Sequence, residues 1–69
     1  MKLEKKHKDA TRYLVEHLEK VLTSARSLHW GVETGSLEHA NKCLNEMAKR
    51  YEDVKKSLEE VDSLFTEPA

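Results

Sequence analysis

Residues 27–39, with the sequence SLHWGVETGSLEH, decide the fold of this 69-residue chain. They contain its only two glycines, its only tryptophan and two of its four histidines. The two long segments at about 2–30 and 37–66 contain neither glycine nor proline, and Pro68 follows the second. Because glycine and proline are typical of the ends of helices, we expect helix 1 at about 2–30, a bend at 31–35 and helix 2 at about 36–66.

The residues of the bend favour this interpretation. Either Gly31 or Gly35 can take the left-handed conformation that ends a helix. Ser36 is placed to cap helix 2, because a serine oxygen accepts hydrogen bonds from the free backbone N–H groups of a first turn. The sequence thus predicts a helical hairpin with a short connection.

Apolar residues repeat along both segments at alternating spacings of three and four. In helix 1 the repeat comprises Leu14, Leu18, Val21, Ala25, Leu28 and Val32. In helix 2 it comprises Leu37, Ala40, Leu44, Met47, Tyr51, Val54, Leu58, Val61 and Phe65. This heptad period predicts two amphipathic helices that pack along one seam, as in a coiled coil. The predicted fold class is all-α, an antiparallel helical hairpin that forms a single domain over residues 1–69.

The apolar stripe is wider than one seam. Val15 and Leu22 lie one position beyond the seam of helix 1, on the side where Ala48 lies in helix 2. The opposite flank is small and polar, with Ala10, His17, Ser24, Cys43, Arg50 and Ser57. A stripe of this width needs a second apolar partner. We therefore expect two hairpins to form a homodimeric four-helix bundle with Val15, Leu22 and Ala48 at the dimer interface.

The composition limits the classes of function that we expect for this chain. The chain has 12 Lys plus Arg and 13 Asp plus Glu, without the excess of positive charge that is typical of nucleic-acid-binding domains. The lone Cys43 has no partner for an intrachain disulfide, which favours a reducing compartment. No apolar run approaches the roughly 20 residues of a membrane span. We expect a cytoplasmic protein that binds neither membranes nor nucleic acid.

A metal site is one alternative. His39 and Cys43 are four residues apart, a spacing that directs two side chains to the same side of a helix, and His29 lies opposite them across the hairpin. Imidazole and thiolate together suit zinc. The competing interpretation makes His39 a solvated surface residue and Cys43 a half-buried flank residue.

Catalytic motifs are scarce. The sequence has no glycine-rich phosphate loop and no arrangement of Ser, His and acid, and Glu4 with His7 gives only one Glu-x-x-His motif where di-iron bundles use two. We therefore expect a non-enzymatic interaction or regulatory module without a cofactor. Tyr13 and Trp30 are the predicted contacts for an unidentified protein partner.

The predicted dimer also resembles, in architecture, the small hairpin bundles typified by the plasmid copy-control protein Rop, which bind RNA hairpins on one bundle face. This resemblance implies an RNA-binding regulator as a further alternative. The basic residues available for RNA contact are Lys5, Lys6, Lys8 and Arg12.

Overall fold

Two long helices pack against each other as an antiparallel hairpin in the computed structural model, which describes residues 2–66. Helix α1 spans Lys5–Glu33 and helix α2 spans Leu37–Thr66. The predicted all-helical hairpin is therefore confirmed, while Met1 and residues 67–69 of the predicted domain lie outside the described residues. Within residues 2–66, neither helix combines the length and apolar character that crossing a membrane requires.

The connection between the helices is shorter than predicted, because Gly31 lies inside α1. Gly35 takes the left-handed conformation, with φ +76°. The Ser36 N–H donates to the Gly31 carbonyl at 2.9 Å and the Gly35 N–H to the Val32 carbonyl at 3.1 Å. This pair of bonds is a Schellman motif, which satisfies the last carbonyls of a helix. Ser36 then caps α2 as predicted, since its Oγ accepts from the His39 N–H at 3.2 Å.

A capping box begins α1. The backbone N–H of Glu4 donates to Nδ1 of His7 at 3.0 Å, so the Glu-x-x-His pair has a structural role. The His7 ring is buried and lies edge-on to the ring of Phe65, with 5.3 Å between centroids. The start of α1 is therefore fixed to the end of α2.

Most of the residues that are buried between the helices are small. The buried residues, besides His7, are Ala10, Ser24 and Gly31 from α1 and Ala40, Cys43, Val54 and Ser57 from α2. Arg50 crosses the contact, where its Nη1 donates to the Lys20 carbonyl at 2.8 Å and to Ser24 Oγ at 2.7 Å. Small residues let two helix backbones approach closely, which is evident where Gly31 meets the backbone of Ala40.

This contact corrects the predicted seam. The sequence pattern placed Leu18 beside Tyr51 between the helices, but both side chains are about half exposed. Conversely, the row predicted as an outer flank is inside, including Ser24, Cys43 and Ser57. The prediction was right for Ala40 and Val54, which are buried between the helices, and wrong for Leu18 and Tyr51, because the heptad period identifies an apolar stripe without specifying which of its edges the second helix covers.

Candidate functional site

Nine large apolar side chains remain exposed on one side of the hairpin, with exposed fractions from 44% to 74%. They are Val15, Leu18, Leu22 and Val32 of α1 and Leu37, Leu44, Tyr51, Leu58 and Phe65 of α2. We call this surface the apolar face. It is the largest departure of this molecule from the usual burial of apolar residues.

The geometry of the two helices explains why these residues share one side. Each of them directly follows a residue that is buried or half-buried, as Val32 follows Gly31 and Leu44 follows Cys43. Each step of one residue along an α-helix changes the direction of the side chain by about 100° around the helix axis. When two antiparallel helices contact each other, the residue that follows a contact residue lies on the same side of the pair in both helices. Both helices therefore contribute a row of apolar side chains to the apolar face.

The predicted dimer-interface residues lie on the apolar face or at its edge. Val15 and Leu22 are each about half exposed and flank Leu18 on α1. Ala48 is exposed and lies at the α2 edge. Near the bend, the same side has an open concavity of about 250 Å³, lined by Gly31, Val32, Gly35, Ser36, Leu37 and Ala40.

Tyr13 and Trp30, the predicted partner contacts, lie on the opposite side of the hairpin. Tyr13 is 54% exposed and lines a groove with Asp53 and Lys56. Trp30 is 58% exposed and meets the ring of His39 edge-on, with 5.1 Å between centroids. A molecule bound to the apolar face would leave both aromatic rings accessible.

A polar cluster lies beside Trp30. His39 Nε2 is 2.9 Å from Ser27 Oγ and 3.6 Å from Cys43 Sγ. The Cys43 thiol donates to Ser27 Oγ at 3.3 Å. Cys43 is only 3% exposed, whereas Ser27 and His39 are half-buried. The interpretation of His39 as a solvated residue and of Cys43 as a half-buried one is therefore wrong.

His29 does not join this cluster. It is exposed and forms an ion pair with Glu33, one turn further along α1. Ser27 occupies the place predicted for His29, because residues two apart on a helix differ in direction by about 200°. In the sequence, the only indication that Ser27 belongs to the polar cluster was its position across the bend from Cys43. Among residues 2–66, no three side chains of His, Cys, Asp or Glu come together as a metal-binding group.

The basic residues near the start of α1 are interleaved with acidic ones. Lys5, Lys8 and Arg12 line an open groove together with Glu4 and Asp9. Arg12 Nη2 is 3.3 Å from Asp9 Oδ1. Part of the positive charge that an RNA phosphate would meet is thus already neutralised locally.

Comparisons of the chain with protein-family models, with curated proteins and with solved structures found no match.

Proposed function

We propose that this chain is a non-enzymatic interaction module that works as a homodimer. Two hairpins bury their apolar faces against each other and form a four-helix bundle in the cytoplasm. The apolar face is the single observation that carries this proposal, since nine large apolar side chains exceed what a small water-soluble surface normally exposes.

The accessible surface area of the chain supports a second copy as the occupant. A compact monomer of 8.0 kDa exposes about 4,450 Å², whereas this chain exposes 5536 Å². Removing the excess from two copies buries about 2,200 Å² in total, which lies within the range of about 2,000–5,000 Å² for obligate homodimers. One further hairpin therefore supplies an area that a stable dimer needs.

The internal packing also favours a dimer. The residues buried within the hairpin are mostly small, whereas the nine side chains of the apolar face are 44% to 74% exposed. A small domain depends on burying its large side chains, since each contributes about 1.5–3 kcal/mol on full burial. Pairing of two apolar faces supplies this burial.

The opposite side of each hairpin then remains free for a further protein. Tyr13 and Trp30 are the contacts we propose there, because aromatic rings provide large contact areas at low entropic cost. Both rings stay accessible when the apolar faces pair.

A matched pair of tyrosine variants tests the dimer. Tyr51 on the apolar face is 55% exposed and Tyr13 on the opposite side is 54% exposed, so the same substitution removes equally exposed rings from the two sides. Tyr51→Lys should raise the dimer dissociation constant by about 30-fold or more, because a hot-spot loss of about 2 kcal/mol or more is expected when a charge enters an apolar interface. Tyr13→Lys should leave it unchanged. Sedimentation equilibrium measures both constants.

A second measurement covers the case in which Tyr51→Lys also unfolds the chain. The melting temperature of a dimer that unfolds on dissociation rises with protein concentration. We expect this rise for the unmodified chain and for Tyr13→Lys. Equal sensitivity of the two variants, or a melting temperature independent of concentration, would overturn the proposal.

A further inference from the structure

We propose that the second copy lies antiparallel to the first, so that the concavity at the bend of each hairpin binds the Phe65 ring of the other copy. This inference rests on the proposed dimer and adds the orientation of its two hairpins. The evidence is the spacing of the apolar face, the shape of its two ends and the distribution of charge along the hairpin.

The apolar residues of α2 form a regular row. Leu37, Leu44, Tyr51, Leu58 and Phe65 follow one another at intervals of seven residues, a period that keeps side chains on one side of helices that coil around each other. Tyr51 is the midpoint of this row. A two-fold axis through Tyr51, perpendicular to the helices, therefore places the row against itself in the reverse direction. Leu37 then lies opposite Phe65 of the second copy, and Leu44 lies opposite Leu58 of the second copy.

The apolar residues of α1 are centred at the same height. Ser27 faces Cys43 across the helix contact, with 3.3 Å between Oγ and Sγ, so residues whose numbers add up to about 70 are level with each other. Leu18 is therefore level with Tyr51. The same two-fold axis brings the apolar side chains around Leu18 in both copies to the centre of the interface.

The two ends of the apolar face differ in shape. At the bend, the concavity has a volume of about 250 Å³, and a cavity of about 150 Å³ is enough to hold benzene. At the other end, the Phe65 ring is 44% exposed. Antiparallel copies place each ring in a concavity. Parallel copies would leave two concavities facing each other, and protein interiors contain few such voids.

The charge along the hairpin favours the same orientation. The bend half, residues 20–51, has five Lys or Arg and three Glu, for a net charge of +2 with neutral histidines. The other half, residues 2–19 and 52–66, has seven Lys or Arg and nine Asp or Glu, for a net charge of −2. Antiparallel copies set opposite charges side by side, and such complementarity fixes the relative orientation of two partners.

Nitroxide labels test the orientation, because pulsed electron paramagnetic resonance measures the distance between the labels of the two copies. Glu38 and Glu52 are matched label sites, since both are exposed and each directly follows a residue of the apolar face. The labels are attached through Glu38→Cys or Glu52→Cys in a chain that also carries Cys43→Ser. Position 52 lies near the axis, so its labels should be within about 30 Å in either orientation, because packed helices are about 8–10 Å apart. Position 38 should give about 40 Å or more in antiparallel copies.

The two label sites separate failure of the orientation from failure of the dimer. We expect a short distance at position 52 and a long distance at position 38. Short distances at both sites would overturn the antiparallel orientation and leave the dimer intact. Absence of an intermolecular distance at position 52 would overturn the dimer and the orientation with it.

A double-mutant cycle tests the contact of Phe65 without any change at Cys43. Leu37 and Phe65 of one chain are about 42 Å apart along α2, too far to interact. They touch between antiparallel copies, so the effect of Leu37→Ala plus Phe65→Ala on the dimer dissociation constant should differ about threefold or more from the product of the single effects. Leu37→Ala plus Leu58→Ala is the matched control, whose effects should multiply. Independent effects of Leu37→Ala and Phe65→Ala, measured by sedimentation equilibrium, would overturn the proposed binding of Phe65 in the concavity.

Discussion

Gly31 and Gly35 lie four residues apart, and the hairpin needs them for different reasons. Gly35 has open space around it, but its backbone has φ +76°, a conformation that costs other residues about 1 kcal/mol or more. Gly31 has ordinary helical geometry, but a Cβ there would lie 2.7 Å from His39 Cδ2 and 3.3 Å from the backbone nitrogen of Ala40. One glycine provides a conformation and the other provides space.

Alanine at the two positions should therefore destabilise the fold through different mechanisms. Gly31→Ala should lower the free energy of unfolding by about 1–3 kcal/mol through overpacking, despite the higher helix propensity of alanine. Adding His39→Ala should remove much of this cost, because the nearest clashing atom is then absent. Gly35→Ala should cost about 1 kcal/mol with or without His39. Urea denaturation at one fixed protein concentration measures this double-mutant cycle, and equal costs of Gly31→Ala in both backgrounds would contradict it.

At the scale of the helix, α1 begins where His7 links its first turn to α2. His7→Ala removes both the acceptor for the Glu4 N–H and the ring against Phe65. It should destabilise the chain by about 0.5–2 kcal/mol, the range for a lost cap, and should speed hydrogen exchange in the first turns of α1. His7→Gln should recover the cap alone, since glutamine can accept the same bond. Unchanged exchange at residues 5–10 in His7→Ala would show that this link does not hold the helix end.

The helices also show which parts of the structure sequence patterns can predict. The heptad spacing and the glycines sufficed for two helices, a bend and the Ser36 cap, because these depend on local geometry. They did not reveal which edge of the apolar stripe the second helix covers, since Ser24 and Ser57 resemble surface residues by type alone. Which residues form the polar cluster also depends on which edge of the stripe the second helix covers. The place assigned to His29 therefore belongs to Ser27.

At the scale of the whole molecule, the main consequence of this packing is a hairpin whose helices are packed together while many large apolar side chains remain exposed. Its small residues meet within the chain, and five of its leucines, Tyr51 and Phe65 point outward on the apolar face. Val15 and Leu22, which the sequence marked as interface residues, lie on that face. We therefore expect folding and self-association of this chain to be coupled.

The mass of the chain in solution at low micromolar concentration, from light scattering after size exclusion, tests this expectation most directly. A dimer predicts a mass near twice the 8.0 kDa of the chain, together with a fully helical circular dichroism spectrum. A single species of 8.0 kDa that is equally helical and does not associate on concentration would contradict the account, because the apolar face would then be stable in water without a second copy.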